Sequence, residues 1–290
     1  MAYDDSSGGD AREQAQKAAK KASPWLVWFA RAGYVAYGVV YGAVGVLALQ
    51  AAFGGGGKTT SQEGAFRSIV FAPLGRILLG LVTIGLLGYA LWRLFQAIFD
   101  ADAEGTDPSG IATRLAHGLD GAFHLILAFS AGQLVLGLGG GGGGSPDDWT
   151  ARLLAQPLGR WLAVIIGAVI VGAGLNQFYA AYKARFKEEL KLHEMSGREK
   201  RWATRSGRLG YAARGVVFGV MGIFLMQAAL QTDPDKARGL GGALQALVLQ
   251  PFGPYLLGAV ALGLVAYGAF MLVVARYRRI EPSRPRQRAR

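Results

Sequence analysis

The sequence predicts an all-α integral membrane protein, six transmembrane helices forming three parallel, tandem two-helix repeats in a pseudo-threefold bundle. Three observations predict it. Six stretches, at about 32–53, 77–92, 115–138, 161–182, 209–232 and 255–275, are uncharged or nearly so. They run close to or past the ~20 residues that cross a bilayer core. One helix face is written twice, RAGYVAYGVVYG at 31–42 and RLGYAARGVVFG at 208–219, with a weaker copy, RLAHGLDGAFHL, from Arg114. Finally, the three arginines that open these copies keep a common register. Each is followed 19 residues later by a glutamine (Gln50, Gln133, Gln227) and 42 or 43 residues later by a P-x-G turn (Pro73-Leu-Gly75, Pro157-Leu-Gly159, Pro251-Phe-Gly253).

Helices follow from physics. Within lipid every backbone N–H and C=O must be paired inside the protein, which leaves helices or a closed barrel. Barrel strands are about 10 residues long with strict alternation, and VVYGAVGVLALQAAF has neither property. Of the 290 residues, 52% are hydrophobic and 17% charged. The polar N-terminus, MAYDDSSGGDAREQAQKAAKK, has no apolar core and no cleavage site, so it does not read as a signal peptide. The absence of cysteine removes disulfides, thiolate metal sites and cysteine nucleophiles together.

The net charge of +12 reads as topological, with no nucleic-acid partner. The N-tail, the 93–114 and 183–214 linkers and the C-tail hold 24 Lys and Arg, and the other three loops hold 7. The positive-inside rule then places both termini in the cytoplasm. Trp25, Trp28, Trp161 and Trp202 fall near span ends, where interfacial aromatics are expected.

In order along the chain, residues 1–24 are a polar, basic cytoplasmic tail, 25–107 the first repeat and 108–183 the second. Residues 184–201 form a basic cytoplasmic linker, 202–277 the third repeat and 278–290 a basic tail. Each repeat reads as an outgoing helix, a polar or glycine-rich loop, a short amphipathic piece (EGAFRSIVFA, DDWTARLLAQ, LGGALQALVLQ), the proline turn and a returning helix. The short pieces suit the outer interface, and proline suits a first helical turn because its missing N–H would be unpaired there. An even number of spans per repeat gives all copies one orientation, unlike inverted-repeat transporters. In the linker, Phe186 and Leu190 at i, i+4 suggest a helical extension resting on the membrane surface. FGGGGKTT at 53–60 falls one residue short of a phosphate loop, since Ala52 stands where the first glycine is needed, and it follows a span instead of a strand.

The R-x-G-Y-x-A-[YR]-G-V-V-[YF]-G helix, paired with Q-P-[LF]-G and a small-residue helix ending in aromatics and arginine, resembles the bacterial membrane family catalogued as domain of unknown function 1206. The resemblance covers roughly 25–280 and implies a six-helix plan of three two-helix copies. It implies no activity. The middle copy departs from the motif at His117 and Asp120.

At 100° per residue from the repeated arginine, offsets +3, +6 and +10 share one sector of each outgoing helix. They hold Tyr34, His117 and Tyr211, then Tyr37, Asp120 and Arg214, then Tyr41, His124 and Phe218. Around a threefold axis equivalent positions form rings, and ionisable groups within spans face the interior. The middle ring therefore predicts an Asp120–Arg214 ion pair beside Tyr37, the alternative being that the two charges snorkel separately to the interface. Gly38, Gly42 and Gly45, with Gly215, Gly219 and Gly222, have GxxxG spacing for close helix packing. Gln50, Gln133 and Gln227 read as hydrogen-bonding to a neighbouring helix or the outer interface, while Asn176 and Gln177 could line a cavity or a helix contact. His117 and His124, seven apart, are about 10 Å apart along the helix, too far to share one metal. No metal, haem or other cofactor is expected, and no nucleophile–base pair argues for an enzyme. Two functions fit. One is permeation or transport of a small solute or ion through a cavity lined by Tyr and His/Asp/Arg side chains. The other is a closed, non-enzymatic membrane scaffold. The partners expected are the bilayer, with anionic lipids drawn to the basic cytoplasmic segments.

Overall fold

The computed structural model describes residues 24–54, 61–100, 105, 107–138 and 146–278. The N-tail, the glycine-rich segments 55–60 and 139–145, the tail beyond 278 and the side chain of Trp25 lie outside the described residues. Six long helices carry the spans: α1 (Pro24–Ala52), α3 (Gly75–Phe99), α4 (Pro108–Val135), α6 (Gly159–Lys183), α7 (Gly197–Gln231) and α9 (Gly253–Tyr277). Each contains a window long and apolar enough to cross a membrane. Three short helices, α2 (Gln62–Val70), α5 (Pro146–Leu154) and α8 (Leu240–Val248), precede the returning helices. The short helices lie at the loop end of the bundle. The opposite end, where the chain enters at α1 and leaves at α9, is the basic end.

The P-x-G turn has the same geometry three times. Proline lies in the turn itself, two residues before the returning helix, so the expectation of a first-turn proline is corrected. The middle residue is left-handed each time, Leu74 at φ 59°, Leu158 at 62° and Phe252 at 59°. That conformation costs an L-residue about 1–2 kcal/mol. The glycine then starts the helix, because a Cβ on Gly75, Gly159 or Gly253 would collide with a carbonyl oxygen of the short helix before it (Ile69, Leu153, Val248). The motif survives in all three copies because it folds the short helix back onto the returning one.

Neighbouring long helices follow the order α4–α3–α1–α9–α7–α6. Three of the contacts join successive units and are threefold equivalents. A Cβ on Gly38 of α1 would lie 2.7 Å from the Gly268 carbonyl of α9, one on Gly215 of α7 would lie 3.0 Å from the Gly174 carbonyl of α6, and one on Gly121 of α4 would lie 3.1 Å from the Ala90 carbonyl of α3. In each case the residue seven past the repeated arginine meets the residue 17 past the turn proline. Gly45 and Gly222 make similar approaches two turns further on, to the carbonyls of Ala261 and Gly167. The arginine caps the preceding unit: Arg114 Nε donates to the Ala97 carbonyl of α3 (2.9 Å) and Arg208 to the Tyr182 carbonyl of α6 (3.3 Å). A cation is favourable at those free carbonyls.

Within units the symmetry breaks. In the first unit α1 and α3 meet where Gly33 faces the Tyr89 backbone and Gly85 faces the Ala32 carbonyl. In the third, Gly210 faces Tyr267 and Gly263 faces the Leu209 carbonyl. The same positions in the second unit are Ala116, Ala173, Val169, Leu115 and Leu119. Ala116 and Val169 in place of glycine, with the bulky Leu115 and Leu119 opposite, forbid the close approach, and α4 and α6 form no packed face. Val169 is 63%, Leu115 64% and Leu119 71% exposed. The pseudo-threefold arrangement of units is thus kept, with one open seam inside its second unit that makes the ring of helices an arc.

The linker also departs from expectation. α6 stops at Lys183, with Ala184 left-handed (φ 52°), and two three-residue 3-10 turns follow before the Ser196–Glu199 capping box starts α7. Phe186, Leu190 and Met195 are buried under the basic end rather than spread on a membrane surface. Trp28, Trp161 and Trp202 are exposed.

Two predictions follow from the seams. Gly38→Ala and Gly215→Ala should each cost about 1–3 kcal/mol by overpacking, while Gly42→Ala and Gly219→Ala, whose Cβ would meet nothing within 4 Å, should leave thermal unfolding in detergent unchanged or slightly raised. Because the chain has no cysteine, paired cysteines report the arc directly. Ala36→Cys with Gly85→Cys should crosslink under oxidation and Leu119→Cys with Val169→Cys should not; efficient crosslinking of the second pair would show the arc closed.

Candidate functional site

The seam between α3 and α4 builds the charged centre. Gly121 lets α4 lie flush on Ala90 and Leu94 of α3, so Asp120 reaches residues one turn apart on that helix. Arg93 Nε lies 2.8 Å from Asp120 Oδ2, and the Tyr89 hydroxyl donates to the same oxygen at 2.8 Å. Arg93 also donates to Tyr89 Oη (2.9 Å), to Gln96 Oε1 (3.3 Å) and to His117 Nδ1 (2.9 Å). Since arginine can only donate, His117 accepts at Nδ1 and carries its proton on Nε2. His124 is the other tautomer. Its Nδ1 faces the Asp120 carbonyl (2.7 Å) and Oδ1 (3.3 Å), so that nitrogen holds the proton, and Nε2 is buried without a hydrogen-bond partner.

An aromatic stack fills the axis beside this network. Tyr37 stacks on Tyr89 (5.0 Å, 17°) and stands edge-on to His124 (4.8 Å), Tyr41 (4.8 Å) and Tyr267 (6.0 Å). On its far side lies Arg214. The guanidinium donates to Tyr267 Oη (2.5 Å) and sits 4.7–6.0 Å from the ring centres of Tyr267, Phe218, Tyr41 and Tyr37. Its Nε is buried with no hydrogen bond. Cation–π contacts of this kind contribute roughly 0.5–2 kcal/mol each, and they replace a carboxylate, of which Arg214 has none among the described residues.

The expected Asp120–Arg214 ion pair is corrected. Both residues face the axis, but Tyr37, Tyr89 and His124 occupy the space between them, and the flush α3–α4 seam delivers Arg93 to Asp120 instead.

Toward the basic end the axis opens into a cavity of about 90 Å³ whose lining includes Tyr34, His117, Tyr211, Arg93, Glu189 and Arg278. The first three are the offset +3 positions of the three units. The linker after α6 closes this cavity as a strap. Phe186 stacks on Tyr211 (5.3 Å) and meets Phe270 edge-on (4.9 Å), in a slot that exists because a Cβ on Gly207 would lie 2.6 Å from its ring. Further along, Lys191 N–H donates to the Tyr277 carbonyl (2.8 Å) and Glu189 pairs with Arg278 (3.0 Å). Arg278 in turn lies 5.1 Å over the Tyr34 ring, and the Tyr277 hydroxyl donates to Glu199 (2.7 Å) at the start of α7. Among the described residues no group of three His, Cys, Asp or Glu is placed to hold a metal ion.

The family described as Domain of Unknown Function (DUF1206) matches this chain three times, at residues 32–100, 115–184 and 209–278. The chain belongs to that family. Each DUF1206 match begins one residue after a repeated arginine, so family and internal repeat share one register. The chain is also 34% identical over 261 residues to "Uncharacterized protein YxxB" of Bacillus subtilis (strain 168), covering 90% of this chain and 94% of that one. No solved structure matches. This DUF1206 protein is thus a multi-pass membrane protein with a bacterial homologue.

Some of the expected site residues of the DUF1206 units converge and others do not. Tyr34, His117 and Tyr211 line one cavity, Tyr37, Tyr41 and His124 join the aromatic stack, and Phe218 packs against the Arg214 guanidinium. Gln50 and Gln227 are exposed, and Gln133 has its Oε1 buried without a partner. Asn176 is exposed and Gln177 half-buried beside the open seam. Tyr89, Arg93, Gln96 and Tyr267 lie on returning helices, outside the rings that the outgoing helices predict. A signal was present: Tyr89 and Tyr267 both stand 16 residues past a turn proline, with Ala173 at that place in the second unit.

A double-mutant cycle resolves the network. Arg93→Gln and Asp120→Asn should each cost on the order of 3 kcal/mol in detergent, since each strands a charge, and the double variant should cost little more than either. Asp120→Asn combined with Arg214→Gln should come closer to additivity. A larger coupling to Arg214 than to Arg93 would contradict the geometry.

Proposed function

We propose that this is a small-solute or ion permeation protein of the bacterial inner membrane, non-enzymatic and without a cofactor, with both termini in the cytoplasm. One observation carries the proposal: equivalent positions of all three units converge on a polar cavity next to a charged network at span depth. Ionisable groups there are costly, and such groups mark ion and solute pathways. About 90 Å³ suits one small ion or a few waters, each water's share of liquid volume being about 30 Å³. The strap and the aromatic stack then correspond to the two closed ends of an occluded state, and the seam without glycine contacts is where the arc can open most easily. The excess of Lys and Arg at the strap end supports a cytoplasmic placement. A closed scaffold is the second reading, favoured by the rings that fill the axis between Asp120 and Arg214.

Reconstituted vesicles should collapse a pH gradient, or release one of a panel of small ions and solutes, faster than protein-free vesicles. Asp120→Asn should slow that flux at least tenfold in folded protein, and Phe186→Ala, which unseals the strap, should raise it. Vesicles indistinguishable from protein-free controls across the panel, with Phe186→Ala included, would favour the scaffold.

A further inference from the structure

α7 has 35 residues against 25 in α6 and 25 in α9, and its extra length projects past the basic end. α6 ends at Lys183, beside Arg208, whose guanidinium bonds the Tyr182 carbonyl. Beyond that point the α7 face that packs on α6 through Gly215 and Gly222 continues as a cationic stripe of Lys200, Arg201, Arg205 and Arg208, with Thr204 among them. Lys187 of the strap forms the opposite wall. Together these six residues line a shallow cleft of about 350 Å³ containing no acidic residue. None of the five cations pairs with a carboxylate among the described residues. Like charges at i, i+4 repel along a helix, as Arg201 and Arg205 do here, so the stripe is built for an anion from outside the chain.

The depth of the cleft decides the source. Arg208 stands where a span ends, the place of snorkelling cations and interfacial aromatics. Trp202, six residues earlier on α7, is 58% exposed, and above Arg208 Tyr182 and Leu175 of α6 are 75% and 63% exposed. An acyl chain can follow α6 while its headgroup enters the cleft. From Lys200 to Arg208 the stripe spans roughly 12 Å at 1.5 Å per residue, more than one phosphate covers.

The geometry points to a binding site for a diphosphate-bearing anionic lipid of the leaflet at the basic end, its phosphates bridging α7 to Lys187 of the strap. Lys187 directly follows Phe186, the residue that plugs the cavity, so an occupied cleft fastens the strap. The site holds whether or not the cavity conducts.

The test uses the full chain in neutral detergent, titrated with cardiolipin, with phosphatidylcholine and with inorganic phosphate, read by native mass spectrometry and thermal unfolding. Cardiolipin should stay bound and raise the melting temperature, while phosphatidylcholine and phosphate should not. The triple variant Lys187→Gln, Arg201→Gln, Arg205→Gln should lose about a hundredfold in cardiolipin affinity, at about fivefold per basic residue. Its melting temperature without lipid should match the wild type, which separates lost binding from lost folding. Arg152→Gln with Arg238→Gln, at the loop end, should bind as the wild type does. Unchanged affinity in the triple variant, an equal shift from phosphatidylcholine, or saturation by phosphate alone overturns the proposal. Single-phosphate anionic lipid matching cardiolipin would overturn its two-phosphate form.

Discussion

The approach of bare glycine backbone to a carbonyl of the neighbouring unit is the contact on which the rest of the molecule depends. In lipid no hydrophobic force brings helices together, so close packing must do it. Gly38 on Gly268, Gly215 on Gly174 and Gly121 on Ala90 set the rotation of each outgoing helix. Once those rotations are set, the offset +3, +6 and +10 side chains must point at the axis. The charged network, the aromatic stack and the cavity are consequences of three backbone contacts that contain no polar side chain.

The three copies have diverged unequally, and the difference is chemical as well as steric. Units one and three supply tyrosines and glycines; unit two supplies His117, Asp120 and His124 together with the bulky Leu115, Leu119 and Val169. The carboxylate and both histidines of the centre thus lie on a helix that is held to the arc through α3 and released from its own sequence partner α6. The least constrained outgoing helix carries the most titratable chemistry.

Much of this was legible in the sequence because repeats and hydropathy report backbone-level facts. The six spans, the three short helices, the shared register of arginine, glutamine and proline, and the axis-facing sectors all follow from period and composition. The partner of Asp120 was not legible, because it depends on which returning helix lies flush with α4, and that is decided by Gly121 against Ala90. The strap was misread for a similar reason. Phe186 and Leu190 have helical spacing, but each has its own receptor, the Gly207 slot and the Arg278 backbone, and those receptors are distant in sequence. The open seam is written at Val169 and Leu119, yet only a comparison with Gly85, Gly263, Ala36 and Ala213 in the other copies gives those residues meaning.

The strap is fastened by Tyr277 and Arg278, the last residues described, and the two halves of the arc are joined at its middle by α9 lying on α1. Both fastenings therefore wait for α9 to leave the ribosome. Until then the first five helices stand in the membrane with the basic mouth unsealed and Arg214 lacking the Tyr267 hydroxyl that it bonds in the finished protein. The sealing of the interior thus depends on α9, and a chain stalled before it would leave Arg214 held by the rings of Tyr37, Tyr41 and Phe218 alone.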